Sequence, residues 1–301
     1  MAFAKALSRV DFVGRWKTWF VLSGIFLLIG IGFIAVRGLN LGIDFEGGAK
    51  FNAASPKNDL TVGEVRAAMP PEHRQDAVIQ RAGNNGWEVR TPVLSQPETS
   101  KVRDALAKAL GAEISVQSIS PTFGGQVRDQ ALQAVGAALL VIVVFISFRF
   151  EFSFAMAAMV ALLHDILMTI GFYAIVGREV NLVTVVAVLT ILGYSLYDTI
   201  IIFDRIRENT PAVGYNKRRF DDMINTSIRQ VVTRSIFTSV STLIPITALL
   251  IFGESTLSDF AFALLVGIIA GTYSSIFIAS PILSLYKAWR AGGSRRPARA
   301  T

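Results

Sequence analysis

Six apolar stretches constrain this sequence more than any other feature. They cover residues 19–36, 131–148, 152–176, 180–203, 235–252 and 260–285. Each is close to the roughly 20 residues that a helix rising 1.5 Å per residue needs to cross a hydrocarbon core. Backbone in lipid must satisfy its own N–H and C=O groups, so each stretch is read as a spanning helix. The charges are sparse, at 17% of residues, and unevenly placed. Residues 37–130 alone carry eleven Lys/Arg and eleven Asp/Glu, an ordinary soluble composition with no net charge. The expected fold is a polytopic α-helical membrane protein with six transmembrane helices and one external domain between helices 1 and 2.

Lys5, Arg9, Arg15 and Lys17 precede the first stretch as they would in a secretory signal. Its apolar run is longer than a usual signal core and no small-x-small cleavage site stands out after it, so an uncleaved span is expected. Lys and Arg concentrate in the N-terminus 1–18, the segment 204–234 and the tail 286–301, with four, seven and five. The turns around Arg178 and Glu254 hold one between them. By the positive-inside rule both termini and 204–234 are cytoplasmic, and residues 37–130 lie outside. The net charge of +7 then reflects membrane topology, which argues against nucleic acid as a partner. There is no cysteine, hence no disulfide or thiolate site. No Walker-type phosphate loop, HExxH or complete nucleophile elbow occurs, and no cofactor or metal is expected.

The external region reads βαββαβ. "NLGIDFEGGAKFNA" alternates like a strand with a Gly-Gly break. "TVGEVRAAM" opens with Thr61 as N-cap and Glu64 three residues later. "DAVIQRAG" and "WEVRTPVL" flank the turn "AGNNG". "PETSKVRDALAKAL" is amphipathic, with Pro97 near its start and Gly111 past its end. "AEISVQSIS" closes the set. This order predicts a ferredoxin-like domain for contact without chemistry. "PTFGGQ" at 121–126 reads as turn residues and a hinge before the second span.

A carboxylate at the bilayer centre costs about 2.5–3.5 kcal/mol, so intramembrane acids tend to face the bundle interior and mark pathways. Asp165 lies midway along the third stretch and Asp198 near the end of the fourth. Arg234 opens the fifth, followed by Thr238, Ser241 and Thr242, and is expected to approach Asp198 at similar depth. Tyr194 and Tyr197 flank the same site. Structural readings stand beside these. Asp198 could be hydrogen-bonding glue, Arg234 a snorkelling anchor, and Asp165 a partner of His164. Arg178, Glu179, Glu254 and Asp259 are expected to be solvated. Ala263, Gly267, Gly271, Ser275 and Ala279 recur every four residues, a face for close helix packing.

"LGIDFEGGAKF", with Asp44, Phe45, Gly47 and Gly48, "ALLHDILMTIG", "GYSLYDTIIIFDRIREN" and "FAFALLVGIIAGTYSSIFIASPI" together resemble the SecF side of the SecD/SecF protein-export family. That family lies within the resistance–nodulation–division superfamily. The resemblance implies a subunit of the bacterial inner (cytoplasmic) membrane that works with SecD. The pair would use the proton motive force to complete export of unfolded preproteins through the SecYEG channel. The family's membrane carboxylate falls on Asp198 and its partnering arginine on Arg234; Tyr197 stands where the family usually carries Asn. Two other readings remain open: a proton-driven small-molecule exporter of the same superfamily, and a purely structural translocase subunit.

Overall fold

The computed structural model describes residues 10–53, 56, 60–82, 86–210, 216–253 and 255–293. The chain enters helix α1 (Trp16–Arg37), whose exit carries a single-turn helix α2 (Ile43–Glu46). Strand β1 (Gly48–Ala53), helix α3 (Val62–Ala68), strands β2 (Val78–Ala82) and β3 (Gly86–Thr91), helix α4 (Gln96–Leu110) and strand β4 (Ser115–Ile119) complete a small domain. The bundle continues with α5 (Pro121–Arg149), α6 (Phe152–Val176), α7 (Leu182–Asn209) and α8 (Lys217–Phe252). The last span is helix α9 (Ser255–Ser274), a π-helical turn Ser275–Ala279, and helix α10 (Ser280–Gly293). Among the described residues, six helices are long and apolar enough to cross a membrane.

The domain is the expected βαββαβ unit. Its sheet runs β2-β3-β1-β4 with every described pair antiparallel. Thr61 and Glu64 form a reciprocal capping box at the start of α3, and Ser95 and Glu98 form another at α4. Gly111 ends α4 at φ 63°, the left-handed conformation glycine adopts without a Cβ penalty. One sheet face buries Phe51, Trp87 and Val89 against Val65, Val102, Leu106 and Leu110. The hairpin tip, residues 83–85, and Glu254 lie outside the described residues.

Three glycines tie this domain to the bundle. Gly47 and Gly48 have φ of 77° and 123°. A Cβ on Gly48 would stand 2.4 Å from the Thr91 carbonyl oxygen, and one on Gly47 2.7 Å from Pro121 N. A Cβ on Gly124 would come within 2.9 Å of Gly47 N. The expected hinge at 121–126 is therefore not a turn. Ser120 caps α5 by accepting the Phe123 N–H at 3.3 Å, Pro121 occupies the first helical position, and Gly124 is there for close approach to the Gly47 backbone. The second helix thus starts ten residues earlier than hydropathy suggests.

The other sheet face rests on the turn between α6 and α7. Val180 N–H donates to Asn40 O and Gly42 N–H to Val180 O, both at 2.8 Å, and Asp44 Oδ2 accepts the Leu182 N–H at 3.1 Å. This corrects the expectation that the turn charges are solvated. Glu179 is only 4% exposed, and Arg178 pairs with Asp259 at 2.6 Å. A three-residue turn looks open in sequence, but here a folded sheet covers it. At the opposite end, Asn225 Oδ1 accepts the Phe12 and Val13 N–H groups at 2.9 and 3.2 Å. Most of the expected loop 204–234 is helix there, because α7 and α8 continue past their apolar portions as charged helical extensions.

Candidate functional site

Helices α6, α7 and α9 form the middle of the bundle, and their burial follows from small side chains at helical spacing. On α6 Ala157, Ala158, Ala161 and Asp165 are buried. On α7 Ala187, Ile191, Ser195, Asp198, Thr199 and Ile202 form the inward stripe. Gly267 and Gly271 of α9 and Ser275 of the π turn face that stripe every four residues. A Cβ on Gly267 would reach Ile191, one on Gly271 would sit 2.9 Å from Ser195 Cβ, and Ser275 Oγ lies 2.8 Å from Thr199 Oγ1. The close approach brings hydroxyls from several helices to one depth.

Asp165 is wholly buried. Its Oδ2 accepts Ser195 Oγ–H at 2.6 Å and Ser274 Oγ–H at 2.9 Å, while its Oδ1 lies 3.0 Å from His164 Nδ1. The network runs on through α1. Tyr273 O–H donates to the Trp19 carbonyl at 2.9 Å, so the phenol oxygen accepts from Ser23 at 3.1 Å. Ser23 in turn accepts from His164 Nε2 at 3.2 Å. With Nε2 donating, the Nδ1 to Asp165 contact needs its own proton, as imidazolium with carboxylate or as imidazole with carboxylic acid. Helices α1, α6, α7 and α9 are thus tied by a polar chain in which every group has a partner. Sequence singled out Asp165 and His164; Ser195 and Ser274 were missed, although they interrupt apolar helices, and Ser275 was read only as part of a packing face.

Asp198 presents a different environment. It is 2% exposed, and Oδ2 has no hydrogen-bond partner. Ser235 Oγ of α8 faces the carboxyl without closing a hydrogen bond of good geometry, and is also buried and unpartnered. The approach of Arg234 to Asp198 does not occur in this conformation. Successive helical residues point about 100° apart, so Ser235 facing inward turns Arg234 to the exposed flank. Among the described residues Arg234 makes no ion pair. Tyr197, 54% exposed, also points outward. Tyr194 does bridge α7 to α8, its hydroxyl 2.5 Å from Thr242 Oγ1 and 3.3 Å from the Thr238 carbonyl. The Thr238 hydroxyl bonds back to the carbonyls of Arg234 and Ser235 at 3.1 and 2.9 Å. Among the described residues no three His, Asp or Glu side chains converge as a metal site.

The fold and this site define a multi-pass membrane protein with ionisable groups inside its bundle and an α+β domain inserted after the first span. Comparison with known proteins narrows the class. Residues 101–289 match the family model "Protein export membrane protein SecD/SecF, C-terminal", and residues 32–51 match the "SecD/SecF GG Motif". The SecF translocase subunit of Calditerrivibrio nitroreducens is 36% identical, covering 94% of this chain and 96% of its own. That of Desulfurispirillum indicum is 39% identical over 91% and 90%, and that of Streptomyces coelicolor 36% identical over 91% and 76%. The crystal structure of SecDF from Thermus thermophilus, described as a translocon-associated membrane protein, superposes with a TM-score of 0.84 at 32% identity over 93% of this chain. The match spans only 39% of that longer chain. The chain belongs to the SecD/SecF family, as a SecF-type protein translocase subunit, and its role is transport rather than catalysis.

Proposed function

We propose that this chain works with SecD in the bacterial inner membrane, with both termini cytoplasmic, and couples proton entry to the late export of unfolded preproteins leaving the SecYEG channel. The observation that carries the reading is the buried, unpartnered carboxyl oxygen of Asp198 beside the exposed flank of Tyr197 and Arg234. An intramembrane acid without a fixed partner has a reason to exchange protons. In the proposed cycle, ionised Asp198 attracts Arg234 inward and protonated Asp198 releases it to the flank seen here. That alternation moves α8 against α7. One charge crossing 100 mV supplies about 2.3 kcal/mol, enough to shift a two-state equilibrium more than tenfold. The partner SecD subunit would cover the flank and close the path. Asp165 enters as the group that holds the helices together; a role in passing the proton onward is the competing assignment.

The test is proton-gradient-driven export in vesicles carrying the reconstituted complex. Asp198→Asn is expected to abolish gradient-dependent export while the complex still assembles. Full gradient-driven export by that variant would leave a purely structural subunit as the better account. Asp165→Asn is expected to retain it, and its loss there would assign Asp165 to the proton path.

A further inference from the structure

Where the α+β domain meets the bundle, three buried charged side chains and one nearly buried lysine converge. Lys50 of β1 and Glu88 and Arg90 of β3 project from the sheet face opposite the domain core, and Glu179 rises from the α6–α7 turn to meet them. Lys50 Nζ lies 2.8 Å from Glu88 and 3.4 Å from Glu179; Arg90 Nε lies 3.5 Å from Glu179 and 3.8 Å from Glu88. The rest of the Arg90 guanidinium is committed to the Leu41 carbonyl at 2.9 Å and Asn40 Oδ1 at 2.5 Å. The surrounding charges are occupied elsewhere: Arg178 by Asp259, and Asp44 by the Leu182 N–H. Two acids therefore share two cations in a closed junction between a folded domain and a helix turn.

We propose that the Glu88–Glu179 carboxyl pair is a proton-binding site on the domain side of the bundle, and that its protonation holds the domain against the α6–α7 turn. A proton shared between the acids removes their repulsion and lets Glu179 stay desolvated, while Glu88 keeps Lys50 and Arg90. The electrostatics agree in direction. Burial first, then the hydrogen bond with Glu88, push the Glu179 carboxyl up to about 7, against the opposing pull of Arg90 and Lys50. Burial lowers the Lys50 ammonium, but Glu179 and Glu88 outweigh it and leave its pKa raised. The docked pKa of Glu179 exceeds its free value of ~4.3, so protons bind the docked form preferentially. The resulting stabilisation of docking is complete below the free value and is lost as pH rises toward about 7. This junction lies apart from Asp198 and does not depend on the role proposed for it.

Hydrogen exchange on the full chain in lipid nanodiscs tests the site, read at the amides of Gly42 and Val180, whose hydrogen bonds join domain to turn. After correction for intrinsic exchange, their protection is expected to fall about a hundredfold between roughly pH 5 and pH 8. Glu179→Gln, which mimics the protonated acid, should keep high protection throughout. Glu88→Gln should move the transition to lower pH, and it serves if the first variant folds poorly. Gly42→Ala, whose Cβ would stand 2.2 Å from Glu179 Oε1, should lower protection at both ends of the range. Flat protection in the unmodified chain, or a transition in Glu179→Gln like that of the parent, would overturn the proposal. Asp198→Asn should leave the transition unchanged, which separates this site from the membrane carboxyl.

Discussion

Asp165 and Asp198 are both carboxylates buried in one bundle, yet their surroundings are opposite. Asp165 has two serine donors, a histidine and a chain of further bonds ending on a backbone carbonyl. Asp198 has an orphan oxygen, an unpartnered serine across from it and a cationic side chain turned to the flank. A buried polar group with all its bonds made is costly to disturb and is therefore positional. One with bonds unmade is ready to change state. The difference assigns holding to the first and switching to the second.

That contrast can be broken by substitution. The largest effect is expected for Asp165→Ala, which strands His164 Nδ1 and Ser195, leaves Ser274 only the Gly271 carbonyl, and should cost about 3 kcal/mol of stability in detergent or bilayer unfolding. Asp165→Asn can donate to His164 Nδ1 and accept from both serines, so it should cost less than about 1 kcal/mol. Gly271→Val should come next, at about 2 kcal/mol, by forcing α9 away from Ser195, seen as a lower unfolding midpoint. Ser195→Ala removes one intramembrane hydrogen bond and should cost about 1 kcal/mol. The smallest effect belongs to Ser235→Ala, within about 0.5 kcal/mol, because its hydroxyl has no partner to lose. Equal costs for the Ser195 and Ser235 changes would erase the distinction between the two carboxyl sites.

Much of the architecture was legible because hydropathy and turn chemistry act locally. Six spans, the βαββαβ order, the Thr61 cap and the Gly111 stop all follow from spacing. What escaped depends on partners distant in the chain. "PTFGGQ" looks like a hinge until Gly124 is seen against Gly47, and Glu179 looks solvated until the sheet covers it. The pairing of Arg234 with Asp198 was expected from depth and from the family resemblance; neither fixes helix rotation in this conformation, and Ser235 takes the inward position. The serines of the Asp165 network have too little polarity to register in hydropathy. The stride of Ser275 with Gly267 and Gly271 was visible as packing, but its hydrogen bond to Thr199 was not.

The proposed coupling requires Asp198 to gain and lose a proton from the domain side. Infrared difference spectroscopy on the reconstituted complex, with the pH stepped on that side only, measures this directly. In a Glu179→Gln background, which removes the signal of the junction carboxyl, a protonated-carboxyl band that rises on acidification, vanishes in Asp198→Asn and persists in Asp165→Asn is the expected result. A band unchanged by Asp198→Asn would contradict the account.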